Sequence, residues 1–172
     1  MYEAGGGAAC LLVGPYAESR LAILVFNEAL LMPRVKVNLP ETFLFSAVLP
    51  VRITDLNYGA HLGNDSLLGI LHEARVQFLQ HVGQSEVDRA TGQGYIMADV
   101  AIEYKGEAFY GDTLHIQMAA NDLHPYGFDV VYSVVNQDNR EVARAKTGML
   151  RFDYNTRKLL RLSEEVTARL SV

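Results

Sequence analysis

The chain has 172 residues, 49% of them hydrophobic and 20% charged, with 9 Tyr and 7 Phe. That excludes a disordered chain and leaves one domain with a sizeable core. A formal net charge of -5 argues against a general nucleic-acid binder, which needs a basic field.

One cysteine, Cys10, excludes an intrachain disulfide, and the histidines form no short metal-ligand motif, so no metal is expected. No stretch reaches the ~18 apolar residues of a membrane span, and MYEAGGG lacks the positive flank of a signal peptide. A cytoplasmic protein with no membrane or nucleic-acid partner is expected. The low charged share predicts that another subunit covers some apolar surface.

Residues 1–31 differ in texture from the rest of the chain. Glycines at 5–7 and the Gly14-Pro15 pair break any element, and 21–31 has no clean period. Two readings stand: an N-terminal extension before a natural start at Met32, or a peripheral segment of the domain. The domain itself is expected over 32–172.

Period-two alternation predicts a strand from Thr42 to Thr54, with Phe43, Phe45, Ala47, Leu49, Val51 and Ile53 on one face. Pro50 lacks an N–H, so the strand is an edge or bulges there. The polar run Asp55–Gly63 comes next. Asn64, Asp65 or Ser66 can cap a helix from Asp65 to Val82. Leu67, Leu71, Ala74, Phe78 and Val82 make its apolar stripe, and Gly83 stops it. The opposite face is Ser66, Gly69, Glu73, Val76 and Gln80. Small residues around one carboxylate predict close approach of a ligand or partner chain.

A short helix is expected at Ser85–Ala90. Four strands come after it, at 95–105, 112–122, 128–136 and 142–153. The first should align Ile96, Ala98, Val100, Ile102 and Tyr104 on one face; the second, Leu114, Ile116, Met118 and Ala120. The nearly all-apolar third should be central. His124–Gly127 and Gln137–Arg140 are turns, so the neighbours should be antiparallel hairpins. Ser163 caps a last short helix. One long helix and five strands predict an α+β domain, an antiparallel five-stranded sheet curled around the helix. The sheet's other face is semi-apolar and would need covering, again by self-association.

Asp55, Asn57, Ala60, His61, Gly63 and Asn64 follow the spacing D-x-D-x-x-G-H-x-N-N. Glu73 and Arg75 give E-x-R on the helix, and Ala108–Asp112 reads AFYGD. Over about Phe43 to Asp153 this resembles the hotdog-fold acyl-thioester hydrolases. The branch includes 4-hydroxybenzoyl-CoA thioesterase and bacterial short-chain acyl-CoA thioesterases. The resemblance implies a single hotdog domain that acts on an acyl-CoA or acyl-carrier-protein thioester. It also implies assembly as a homodimer or dimer of dimers, with the pantetheine arm between subunits. CoA would be part of the substrate, with no separate cofactor. Nucleotide phosphates would meet surface bases, for which Lys105, Arg144 and Lys146 are candidates beside a plain reading as solvated strand charges. Two positions depart from the pattern: the second acid is Asn57, and the glycine is Ala60.

Thioester hydrolysis needs an oxyanion site, an activated water and an apolar slot. Free backbone N–H groups near Gly63, Asn64, Asp65 and Ser66 supply the first, aided by the helix dipole. An amide at position 57 cannot be a base, so it would orient water or hold the carbonyl. The carboxylates are Glu73, Asp55 and Asp65. Glu73 is the preferred base, Asp55 the reserve, and Asp65 fits first-turn capping. His61 would position substrate or brace the turn. The rival function is a non-hydrolytic acyl-CoA or fatty-acyl binding module, which Asn57 favours.

Overall fold

The computed structural model describes residues 34–171. The segment at 1–31 and Met32 lie outside them.

Strand β1 spans Phe45–Pro50 and helix α1 Asn64–His81. The strands β2 (Val87–Asp88), β3 (Gln93–Tyr104), β4 (Thr113–His124), β5 (Gly127–Val135), β6 (Glu141–Asp153) and β7 (Lys158–Leu159) come next. Helix α2, Glu164–Leu170, ends the described chain. The sheet order is β1-β4-β5-β6-β3-β2, with β7 on β6 and every pair antiparallel. Five long strands are as expected; two two-residue strands extend the sheet. The apolar β5 is central.

Helix α1 lies on one face of this sheet. Its stripe is buried: Leu67, Leu71, Ala74, Phe78 and Val82, joined by Ile70 and Leu79. It meets Leu114, Ile116 and Met118 from β4, Phe128, Val130, Tyr132 and Val134 from β5, and Ala143, Ala145 and Met149 from β6. Each large apolar side chain contributes about 1.5–3 kcal/mol by burial, so the helix is held by packing along its whole length. Gly83 stops it with φ +72°, and its N–H donates to the Gln80 carbonyl. The Ser163 hydroxyl caps α2 by accepting the Val166 N–H at 3.3 Å.

Four expectations need correction. First, β1 ends at Pro50, and a 3-10 turn occupies Ile53–Asp55. Ile53 is 65% exposed and leaves the core face. The Asp55 carboxylate drives the change by accepting the backbone N–H of Arg52 at 2.8 Å, a bond that the extended chain cannot make.

Second, Ser85–Ala90 is not a helix. Val87 and Asp88 pair with Gly94 and Gln93. The Asp88 carboxylate accepts the Ala90 N–H and the Thr91 hydroxyl, each at 2.8 Å, which closes a turn instead.

Third, β3 does not keep one parity. Tyr95 packs edge-on against Phe128, ring centroids 5.6 Å apart, and Met97 receives Arg75 on the helix side. The register shifts between Met97 and Asp99. Beyond that bulge Ile102 packs on the core and Tyr104 reaches α1. Ile96 and Ala98 therefore do not share the face of Ile102 and Tyr104.

Fourth, the basic candidates on the sheet's semi-apolar outer face, where Ala101, Ala119 and Val131 share a cross-strand row with Lys146, are paired with carboxylates. Lys146 lies 2.7 Å from Asp129 and 3.2 Å from Asp99 there, with Arg144 paired to Glu141 and Lys105 to Glu103 nearby. These pairs make the plain structural reading of the basic candidates the better one.

Candidate functional site

The polar run between β1 and α1 folds into a small antiparallel bridge, Leu56 with Leu62. The Asn57 N–H donates to the His61 carbonyl at 2.9 Å, and the Ala60 N–H to the Asn57 carbonyl at 3.0 Å. Ala60, at the motif's glycine position, takes φ +62°. That left-handed conformation costs a side-chain-bearing residue about 1–2 kcal/mol, which the surrounding bridge offsets.

The bridge aims the chain into α1. Gly63 is the N-cap, and no side chain caps the helix. The expected cap at Asn64, Asp65 or Ser66 is thus corrected: these are the first three helical residues. Their N–H groups are the free donors of the first turn. The side chains of Asp65 and Ser66 lean back over Gly63, where a Cβ would meet Asp65 Oδ1 at 2.7 Å and Ser66 Oγ at 3.1 Å. Both are flexible ends that can swing away. The Tyr104 phenol donates to the Asn64 carbonyl at 2.9 Å and braces the same turn. Burial, then the nearby Asp65 charge, push its pKa up and keep it a donor.

A cavity of ≈ 410 Å³ opens at this helix start. Asn57, His61, Gly63, Asn64, Tyr104 and Glu107 give it a polar side, and Leu62, Leu67, Ala108 and Val142 an apolar wall. Asn57 Oδ1 accepts the Gly59 N–H at 2.8 Å, so its Nδ2 is the atom left to donate. The structure therefore brings together Asn57, His61, Gly63 and Asn64, with Asp65 and Ser66 in the same turn.

Asp55 stands behind the site. It is buried, and Arg52 grips it with Nε at 3.1 Å and Nη2 at 3.0 Å. That hydrogen bonding holds its carboxyl below the ordinary aspartate value, against the opposing effect of burial. A carboxylate so engaged is a brace for the loop. Glu73 opens onto a different groove of ≈ 370 Å³ with Leu49, Pro50, Arg52, Gly69 and Ile70. Gln77 Nε2 donates to its Oε1 at 2.9 Å.

Arg75, from the helix motif, points inward and is only 4% exposed. Its Nη2 donates to Glu86 Oε1 at 2.9 Å, and Glu86 Oε2 also meets His72 at 2.9 Å. Its Nε has no partner. This pair pins the β2 hairpin to α1. Two residues escaped the sequence reading: Glu107 in the cavity and Gln77 beside Glu73. Glu107 directly precedes the AFYGD segment, the one signal that pointed near it.

Comparison with known proteins gives the class. The thioesterase-like superfamily matches residues 51–170, and the chain belongs to that superfamily. Its fold is the hotdog fold of solved relatives. A 1,4-dihydroxy-2-naphthoyl-CoA thioesterase from Synechocystis aligns over 73% of this chain and 94% of its own, at 18% identity and TM-score 0.67. A DHNA-CoA thioesterase from Staphylococcus aureus covers 68% and 79%, at 16% identity and TM-score 0.64. Another S. aureus protein, solved in complex with CoA, covers 77% and 85%, at 15% identity and TM-score 0.68. No curated protein sequence matches. Among the described residues no helix is long and apolar enough to cross a membrane.

Proposed function

We propose that the protein hydrolyses acyl-CoA thioesters to a carboxylic acid and free CoA. The observation that carries this is the donor set at the start of α1. The Asn57 amide and the uncapped helix start at Gly63 and Asn64 border one cavity with an apolar wall, and the free N–H groups of Asp65 and Ser66 lie in the same first turn. Donors fixed where a carbonyl gains negative charge stabilise the transition state without reorganising. The wall of Leu62, Leu67, Ala108 and Val142 suits an acyl group. The CoA thioesterase names of the structural neighbours, and the CoA complex among them, agree with this substrate class.

Water is activated by a carboxylate, and Glu73 is the residue proposed for it. A helix rises ~1.5 Å per residue, so Glu73 lies roughly 14 Å along the axis from Asn64. It cannot serve the cavity of its own chain. In a homodimer, or a dimer of dimers, the Glu73 groove of one copy completes the donor cavity of the other. The hydrogen bond from Gln77 and the openness of the groove support a waiting carboxylate. The β3 edge, which β2 covers only at Gln93 and Gly94, supports self-association. CoA enters as part of the substrate, and the chemistry needs no further cofactor.

One observation favours the rival, a binding module without hydrolysis: the donor cavity holds an amide where the motif has its second acid. A thiol-release assay on acyl-CoA esters of graded length, and on acyl-carrier-protein esters, decides. Hydrolysis gives thiol and acid in equal amounts. Tight binding without thiol would replace the enzyme with the module.

A further inference from the structure

Glu107 has no part in the chemistry above, yet it lines the donor cavity. Its Oε1 lies 3.7 Å from Nδ1 of His61. The apposition is built by the backbone. The Leu62 N–H donates to the Ala108 carbonyl at 2.8 Å, so the residue before each, His61 and Glu107, are held side by side. Gly59 backs the imidazole: a Cβ there would stand 2.9 Å from Cε1 and 3.3 Å from Nδ1. Gly59 is itself fixed by its bond to Asn57. One edge of the ring thus meets Glu107, and Nε2 is the nitrogen left for a substrate. At 3.7 Å the pair is looser than a hydrogen bond. The Glu107 side chain is 65% exposed and free to close the gap by a rotamer change, as catalytic contacts commonly tighten only around substrate.

We infer that His61 is the general acid that protonates the departing sulfur, and that Glu107 is the residue that positions it. This rests on the thioesterase reading. Glu107 accepts the Nδ1–H, which fixes the ring's orientation and leaves the Nε2–H directed at the departing sulfur. Water attacks the carbonyl carbon and forms the new C–O bond, while its proton passes to the Glu73 carboxylate of the second copy. Oxyanion charge builds against the α1 amides and Asn57. On collapse the carbonyl re-forms and the C–S bond breaks. The electron pair stays on sulfur, which takes the Nε2 proton and leaves as the thiol. The acid ionises to solvent, and the proton on Glu73 returns through water to the ring.

The dependence on leaving group tests this. An alkyl thiol is a weak acid, with even the cysteine side chain near a pKa of about 8.5, and gains from a proton donor as it leaves. A nitrophenyl thiol is far more acidic and departs unaided. Two esters of one acyl group, with CoA and with nitrothiophenol, are compared in wild type, Glu107→Gln and His61→Gln. With the CoA ester, kcat should fall about 10–100-fold in both variants, and with the aryl ester less than about threefold. Glu107→Asp should recover part of the CoA-ester rate. Equal losses on both esters would overturn the proposal in favour of a merely structural role. Undiminished turnover of the CoA ester in Glu107→Gln would overturn it too. A wild-type protein inert to both esters would overturn the thioesterase reading and this proposal with it, a result distinct from the other two.

Discussion

Gly59 locks the carboxamide of Asn57: its N–H donates to Oδ1 at 2.8 Å and leaves Nδ2 as the outward donor beside the free first turn of α1. The position therefore carries a hydrogen-bond donor where the family motif has a carboxylate. Asn57→Asp keeps the bond to Gly59 but replaces the donor with negative charge next to the developing oxyanion. Loss of one such donor costs about 10²–10³ in kcat, and a fall of that size is expected in steady-state kinetics. A gain in rate would show instead that Asn57 stands in for a lost base.

Glu73→Gln should lower kcat at least ~100-fold with KM little changed, the size expected when a positioned base is removed. Gln77, which donates to Glu73 Oε1 at 2.9 Å, predicts a smaller loss of the same kind in Gln77→Ala. Near-wild-type turnover in Glu73→Gln would remove this carboxylate from the reaction.

Glu86 neutralises Arg75, a guanidinium 4% exposed. Glu86→Ala leaves that charge buried and unpaired, which costs about 3–5 kcal/mol. Urea unfolding should show it as a lower midpoint. The double variant Arg75→Met, Glu86→Met should recover much of the loss, because the uncompensated charge goes too. Equal stability of Glu86→Ala and wild type would contradict the pairing.

Asp55 carries an acid limb in the stability. Its folded pKa lies below the ordinary 3.8, first through the hydrogen bond from Arg52. A depressed carboxyl contributes stability that is complete above the unfolded value and is lost as pH falls through the folded one. Asp55→Asn should therefore be less stable than wild type near neutrality, with the gap closing in acid. A gap that is constant with pH would refute the linkage.

Much of the scaffold was legible because its signals are local. The stripe from Leu67 to Val82 fixes the helix, Gly83 ends it, and Leu114, Ile116 and Met118 face the core as alternation predicts. The failures share one cause, side chains or backbone groups that bond outside the period. The bulge at Ala98 flips the parity of β3, and Asp88 closes a turn where capping predicted a helix. At the site, the run Asp55–Ser66 announced itself. The partition within it did not: only the fold sets Asp55 behind the loop against Arg52 and Glu73 in another groove. Glu107 was invisible because its meeting with His61 depends on the bond between Leu62 and Ala108, residues far apart in sequence.

The central claim is that water, rather than a protein carboxylate, attacks a bound thioester. A single turnover of an acyl-CoA in heavy-oxygen water, with the protein in excess, tests it most directly. The account predicts thiol release with the heavy atom in the freed acid and none in the protein. Heavy oxygen recovered in a glutamate or aspartate side chain, or ester that stays bound and intact, would contradict it.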